Sequence, residues 1–160
     1  MLKLPPPPTV AKLVVDIVNT KRKMLVNNQQ LDQMWKKWIS SLYNFLQVEA
    51  VHEIGATGNP AFENSWVNYD SSRKARFYKD PFGRVHLGGV VKTGTVPSTA
   101  FTLPEGYRPE YTDASGPDAI FAISSNNAFG EALVKYDGQV IINNGSSAWA
   151  SLDGISFRAA

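Results

Sequence analysis

Histidine and carboxylate side chains are the groups of this 160-residue chain that could perform acid–base or metal chemistry. His52 and His86 are the two histidines, and they do not form a His-x-x-x-His or similar short-spaced metal motif. His86 lies between Val85 and Leu87 in an alternating run, so in a strand it faces away from both of them. This spacing favours a histidine on a surface or at an interface and predicts no metal centre.

Other reactive motifs are also missing from the sequence. There is no cysteine, which excludes disulfides, thiolate metal sites and a cysteine nucleophile. A Gly-x-Ser-x-Gly elbow and a phosphate-binding Gly-Lys-Ser/Thr loop do not occur. Most aspartates sit beside Gly, Pro or Ser, where turn chemistry accounts for them: Asp70, Asp80, Asp113, Asp118, Asp137 and Asp153. We therefore predict a protein that is not an enzyme and has no cofactor.

Aromatic side chains among polar residues are the better candidates for ligand contact, because their faces can stack on sugar rings. Four of them are candidate glycan-binding residues: Trp66, Tyr69, Tyr111 and Trp149. Trp66 and Trp149 lie in predicted strands, where packing in the core or between subunits is the favoured role. For Tyr111, which has polar neighbours, the two roles are equally favoured.

Charge is distributed unevenly along the chain. Residues 1–50 hold seven Lys or Arg against three Asp or Glu, whereas residues 51–160 hold nine against eleven. The basic clusters, Lys21 to Lys23 and Lys36-Lys37, are short and carry no interleaved aromatics, so a solvated helix face is favoured over a nucleic-acid site. The first residues lack the apolar run of a signal peptide, and no stretch approaches the roughly 20 apolar residues of a membrane span. We expect neither nucleic acid nor membrane as a partner.

The first 52 residues predict an attachment and assembly segment. Pro5 to Pro8 favour a polyproline II arm, and residues 13–18 favour an extended segment. Asn27, with Gln30 three positions on, has the spacing of a helix N-cap. Apolar residues then follow in steps of four and three, which is a heptad seam: Leu31, Trp35, Trp38, Leu42 and Phe45. Such a seam needs a partner, either another chain or the β-domain of its own chain.

The rest of the chain has the pattern of an antiparallel β-sandwich. Residues 53–63 have linker composition, and residues 64–160 contain about nine short alternating runs with turn signals between them. Asp80-Pro81-Phe82-Gly83 predicts a tight hairpin turn, and Asp137-Gly138 and Asn144-Gly145 predict two-residue hairpin turns. The fold class is therefore mainly β, with an N-terminal helix and a jelly-roll-like sandwich.

Four sequence blocks in residues 64–160 resemble a β-domain found in tail-fibre, collar and minor virion proteins of phages. They are Trp66, the run from Tyr78 to Gly89, the run from Phe101 to Pro109, and the run from Trp149 to Phe157. Trp35-Lys36-Lys37-Trp38 is also similar to a Trp-x-x-Trp helix of short phage proteins. The sequence departs from the pattern at Gly88, where a basic residue is usual after Val-His-Leu.

The resemblance implies a structural virion protein, usually trimeric, in which the heptad-seam residues act in trimerisation. It implies a fibre, spike or collar-type subunit made in the host cytoplasm, held to other virion proteins by residues 1–50, with host attachment as a further role. The alternatives are a lectin-like receptor-binding module that recognises a host-surface glycan, or a capsid decoration protein. The motif residues are expected to be structural: Asp80, Pro81, Gly83, Leu103, Pro104, Gly106, Tyr107 and Pro109.

Overall fold

The computed structural model describes residues 24–110 and 119–160, which belong to two compact units, residues 1–47 and residues 48–160. We call the second of these the β-unit. The predicted proline arm, the predicted extended segment 13–18 and Tyr111 lie outside the described residues.

Helix α1 is the single helix of the described residues and spans Met24–Phe45, a length of 22 residues. It contains neither proline nor glycine, the two residues that most disfavour a helix interior. Asn27 lies inside this helix, so its assignment as the N-cap was wrong. The capping-box spacing is a short signal, and the residues before it, Met24 to Val26, are compatible with a helix and extend the same heptad register.

Eleven strands make up the β-unit of the described residues. They are β1 (His52–Glu53), β2 (Val67–Asn68), β3 (Arg76–Lys79), β4 (Arg84–Gly88), β5 (Val90–Lys92), β6 (Ser98–Thr102), β7 (Ala119–Ser125), β8 (Ala128–Val134), β9 (Gln139–Asn144), β10 (Ala150–Ser151) and β11 (Ser156–Arg158). A small sheet has the order β1-β3-β4-β11, and a large sheet has the order β2-β5-β10-β7-β8-β9-β6. All pairings are antiparallel. The predicted fold class, mainly β with an N-terminal helix and an antiparallel sandwich, is confirmed.

The inner faces of both sheets share one hydrophobic core. The small sheet contributes Phe77, Val85, Leu87 and Phe157, and the large sheet contributes Ile123, Ala132, Val134, Val140 and Ile142, all of them buried. The rings of Phe121 and Phe157 lie 6.3 Å apart between the two sheets. Alternate residues along each strand point to opposite faces, which is why the same strands also form the outer surface of each sheet.

Local turn chemistry explains most of the hairpins. Gly83 adopts a φ of +82° between β3 and β4, and its N–H donates to the Asp80 carbonyl at 3.0 Å. Gly138 has a φ of +93° between β8 and β9. The hairpin predicted at Asn144-Gly145 was wrong: β9 pairs with β8 and β6, whereas β10 pairs with β5 and β7. Gly145 does have a positive φ, of +132°, but the chain there crosses to another part of the sheet.

The segment predicted as a linker, residues 53–63, belongs to the β-unit instead. β1 pairs with β3 through His52 and Phe77, and the side chain of Ile54 is buried in the core. The linker composition reflects the turns between Ile54 and Pro60, but the segment is held by the Ile54 side chain in the core, by Phe62 packed against it and by the Glu63 N–H, which donates to the Ala100 carbonyl at 2.9 Å.

Tyr107 fixes the start of the β-unit against the small sheet. Its hydroxyl donates to Glu49 Oε2 at 2.9 Å and lies 3.2 Å from His52 Nε2. Its ring meets that of Phe77 edge to face, at 4.9 Å between centroids. Gly106, with a φ of +83°, makes the turn that brings the ring into this position. Burial and the neighbouring Glu49 carboxylate raise the pKa of Tyr107 to about 12.

This contact predicts a loss of stability at alkaline pH. The unfolded chain releases the Tyr107 proton near pH 10, whereas the folded chain keeps it until about pH 12. The unfolded state therefore binds fewer protons between these values, and the free energy of unfolding falls as the pH rises through this window. Denaturant titrations of wild type and Tyr107→Phe between pH 9 and 12 measure the effect. The pH slope should be smaller in Tyr107→Phe, and equal slopes would contradict this role of Tyr107.

Candidate ligand-binding site

The outer face of the small sheet carries polar side chains in register. Arg76 pairs with Gly88 and Tyr78 pairs with His86 across β3 and β4, while Ser156 of β11 pairs with His86 from the other side. Their inward neighbours on the same strands are the core residues already described. Alternation along three strands therefore places this set of side chains on one outer surface.

A groove of about 280 Å³ lies on this face. We call it the Gly88 groove, and its lining residues are Arg76, Tyr78, His86, Leu87, Gly88, Asp153, Gly154, Ile155 and Ser156. The residues from Asp153 to Ile155 belong to the loop that leads into β11, and the Leu87 N–H donates to the Ile155 carbonyl at 3.0 Å. Backbone hydrogen bonding thus holds that loop beside the sheet.

One wall of the Gly88 groove is a fixed aromatic pair. The rings of Tyr78 and His86 stack with centroids 4.9 Å apart and an interplanar angle of 14°. His86 Nε2 donates to Asp80 Oδ2 at 3.0 Å, and the other oxygen of that carboxylate accepts the N–H groups of Phe82 and Arg84, each at 2.9 Å. The hairpin aspartate therefore orients the histidine ring.

The same contacts lower the pKa of Asp80. Burial of this carboxyl acts in the opposite direction, but the hydrogen bonds from His86 and from the Arg84 and Phe82 N–H groups outweigh it. The Asp80 carboxylate stays ionised at lower pH than an ordinary aspartate does. The hydrogen bond that orients His86 therefore persists in moderately acidic solution.

The floor of the groove is Gly88, which lies between groups of opposite charge. A Cβ atom at this position would lie 3.1 Å from Asp153 Oδ1 and 3.5 Å from both Nε and Nη2 of Arg76. Arg76 Nη1 reaches the Lys74 carbonyl at 3.5 Å, and no carboxylate of the described ranges 24–110 and 119–160 lies within ion-pair distance of Arg76. The Arg76 guanidinium and the Asp153 carboxylate therefore flank the floor without forming an ion pair with each other.

The neighbouring Gly89 has a different role. Its φ is +90°, and a Cβ there would lie 2.1 Å from the Lys74 carbonyl oxygen, so the backbone requires glycine. The Gly89 N–H donates to Asp153 Oδ1 at 2.8 Å, which holds the carboxylate at the edge of the groove. The backbone at Gly88 does not require glycine. The absence of a side chain at Gly88 leaves space in the groove.

The three predicted glycan-binding residues that the structure describes, Trp66, Tyr69 and Trp149, do not line this groove. Trp66 is 1% exposed and its indole N–H donates to Ser98 Oγ at 3.0 Å, so it cannot present a face to a sugar and that candidate was wrong. Tyr69 is half-buried, with the Arg73 guanidinium 4.5 Å and Lys92 Nζ 5.2 Å from its ring centroid. Trp149 is also half-buried, and Tyr111 lies outside the described residues.

The remaining predicted residues lie in two places. The heptad-seam residues lie on α1: Leu31, Trp35, Trp38, Leu42 and Phe45. The motif residues form two turns of the β-unit, Asp80 to Gly83 and Leu103 to Pro109. Leu103 and Pro109 are buried, and Pro104 accepts the Tyr107 N–H at 3.1 Å, which closes the second turn.

Sequence reasoning missed the Gly88 groove, although two signals for it were present. The alternation Arg76-x-Tyr78 and His86-x-Gly88 places these residues on one face once the β3–β4 hairpin is known. Gly88 was also the position at which the sequence departs from the pattern that it resembles. Asp153 could not be added from sequence, because 65 positions separate it from Gly88 and the connection depends on β11 pairing.

Two features are absent from the described ranges 24–110 and 119–160. No group of three or more His, Cys, Asp or Glu side chains is placed to hold a metal ion. No helix among these residues has the length and apolar character needed to cross a membrane.

The fold defines a class: a two-sheet antiparallel β-sandwich in a chain that also carries an N-terminal helix. A solved structure that the chain resembles is the receptor binding protein of Listeria phage PSA, with a TM-score of 0.68 and 15% sequence identity over 96% of this chain and 88% of that one. At this identity the likeness establishes the shared fold. No protein-family model and no curated protein matches the sequence.

Proposed function

We propose that this chain is a non-enzymatic structural subunit of a tailed-phage particle, and that it assembles as a homotrimer and takes part in attachment to the host. The observation that carries the proposal is the fold shared with a phage receptor binding protein over 96% of the chain. In this proposal residues 1–50 hold the subunit to other virion proteins, α1 assembles the trimer, and the β-unit faces the host.

The surface of α1 supports assembly. Trp35 is 39% exposed, and its ring meets that of Trp38 edge to face with centroids 5.7 Å apart. Two further large apolar side chains of α1 are exposed beside the seam, Met34 and Ile39. An apolar stripe wider than a two-stranded seam is more readily covered by two neighbouring helices than by one. This width favours three copies over two.

The β-unit has an apolar surface of its own that supports self-association. On the outer face of the large sheet, Ile120 pairs with Leu133, Leu133 with Ile141, and Ile141 with Thr99. Ile120 is 64% exposed and Leu133, Ile141 and Thr99 are half-buried, so this row crosses four strands of the outer face. A contiguous apolar row on a sheet is more typical of an interface than of a solvated surface.

Labelling of intact particles tests the proposed location. Antibodies raised against the purified protein and marked with gold should decorate phage particles from a culture that expresses the chain from its native genome. If the subunit faces the host, label should lie on the tail, and antigen-binding fragments should slow adsorption of the particles to cells. Fragments against an internal protein of the same particle serve as the control.

Two outcomes would contradict the proposal. Particles without any label would remove the chain from the virion. Label confined to the capsid, with unchanged adsorption, would indicate a decoration protein rather than an attachment subunit. Native mass spectrometry tests the trimer separately, and a monomer at micromolar concentration would contradict that part.

A further inference from the structure

The size of the Gly88 groove limits what it can hold. Its volume of about 280 Å³ is near the lower end of the roughly 300–1,000 Å³ typical of small-molecule pockets. Gly88 is buried at the floor, whereas Asp153 and Gly154 are exposed, so the groove is open to solvent beside the loop that leads into β11. The groove therefore fits one small unit of a ligand that continues into solvent.

The charges of the groove restrict the chemistry of that unit. Arg76 offers N–H donors on one side of the floor, and Asp153 offers acceptor oxygens on the other. An anionic ligand would meet the Asp153 carboxylate, and a cationic ligand would meet Arg76. An apolar ligand would remove both charges from water without giving either a partner, which is costly. A neutral ligand with hydroxyl groups on adjacent atoms satisfies both sides, because each hydroxyl can donate and accept.

The aromatic wall is consistent with the same ligand. Tyr78 and His86 both line the groove, and the carbon atoms of their rings offer a weakly polar surface that C–H groups of a sugar can contact. Asp80 fixes the histidine, and Gly89 and Ser151 hydrogen-bond the Asp153 carboxylate at 2.8 and 3.3 Å. The binding groups are therefore held in position by the fold before any ligand arrives.

We propose that the Gly88 groove binds one neutral sugar residue of a surface glycan, with Arg76 and Asp153 bonding its adjacent hydroxyls and Gly88 providing the space for its ring. This rests on the proposed role in host attachment and adds the class of ligand and the place where it binds. A side chain at position 88 would occupy the volume that the ring needs.

Titration of the full-length, ¹⁵N-labelled protein with neutral monosaccharides tests the site. The panel is glucose, galactose, mannose, rhamnose, N-acetylglucosamine and N-acetylgalactosamine. Each sugar is added up to tens of millimolar, and binding is monitored through the amide chemical shifts in the NMR spectrum. At least one sugar should shift the amides of Gly88, Gly89 and Gly154 together, with saturation. No shift with any sugar would overturn the proposal, as would equal displacement of the sugar by inorganic phosphate.

Two variants locate the binding. Gly88→Gln fills the groove without adding charge, and it should weaken binding at least tenfold. Ser124→Gln is the matched control, because Ser124 is an exposed strand residue on the other sheet, and binding should stay unchanged. Asp153→Asn keeps an acceptor for the Gly89 N–H but loses the charge, and should also weaken binding about tenfold. Unchanged affinity in both groove variants would overturn the assignment.

The two proposals can fail independently. Sugar shifts at the groove together with unlabelled particles would reject the virion role and leave the binding site. Labelled particles whose subunit binds none of the sugars would reject the groove and leave the virion role.

Discussion

Replacing Trp66 with alanine is expected to lower the free energy of unfolding of the β-unit by about 3–5 kcal/mol, the usual cost of removing a fully buried tryptophan. Trp66 is 1% exposed, and its indole N–H is bonded to Ser98 Oγ. The chain also passes so close to the ring that a Cβ at Gly94 would lie 2.0 Å from it. Surrounding atoms therefore cannot close the resulting cavity easily. Urea denaturation followed by far-ultraviolet circular dichroism measures the loss.

Trp149→Ala is the matched control for this prediction. Trp149 is half-buried, and its backbone carbonyl accepts hydrogen bonds from Ser125 Oγ at 3.0 Å and from the Asn126 N–H at 3.2 Å. Alanine at position 149 keeps these backbone hydrogen bonds and removes less buried apolar surface than alanine at position 66. The decrease in the free energy of unfolding should therefore be well under half that of Trp66→Ala. Equal losses in the two variants would contradict the assignment of Trp66 to the core.

Features that depend on a few adjacent residues could be predicted from the sequence. The turn at Asp80–Gly83 requires an acceptor at its first position and a positive φ at its last, and both follow from residue type. The helix around Trp35 and Trp38 follows from apolar spacing over four turns. The polar outer side of β4, including the outward position of His86, follows from alternation.

Features that depend on which strands meet could not be predicted in the same way. Asn144-Gly145 has the composition of a hairpin turn, as Asp137-Gly138 does, yet β9 and β10 are not neighbours. Strands β1 and β5 contain two and three residues, too few for an alternating pattern to be visible. Between β7 and β8 a hairpin turn is present that was not predicted. Asn126-Asn127 forms it, with φ values of +48° and +63°, which asparagine tolerates better than most residues.

The candidate site illustrates the same division. The hairpin that carries Tyr78, Asp80 and His86 was predicted, and so was the outward position of His86. The groove also needs Asp153, whose place depends on β11 pairing with β4 and on the Gly89 N–H. Aromatic residue type made Trp66 a candidate for ligand contact, whereas its position in a predicted strand favoured the packing role that its burial shows.

The double substitution Trp35→Ala/Trp38→Ala is expected to convert the proposed trimer to a monomer. At about 25 cal/mol per Å², covering the 39% of Trp35 that a single chain leaves exposed contributes about 2 kcal/mol per chain. Over three chains this is about 6 kcal/mol, or roughly 10⁴-fold in the association constant, before any contribution from Trp38. Size-exclusion chromatography with light scattering should give three times 17.6 kDa for wild type and 17.6 kDa for the variant.

Lys36→Ala/Lys37→Ala is the matched control, because it changes the residues between the two tryptophans and leaves the seam intact. Both lysines are exposed, and Lys36 forms an exposed ion pair with Asp32 at 2.6 Å, a kind of contact that contributes little to stability. This variant should therefore remain trimeric. A tryptophan variant that keeps the wild-type mass would place the contacts that hold the copies together outside α1, and the apolar row through Ile120 would then be the next surface to substitute.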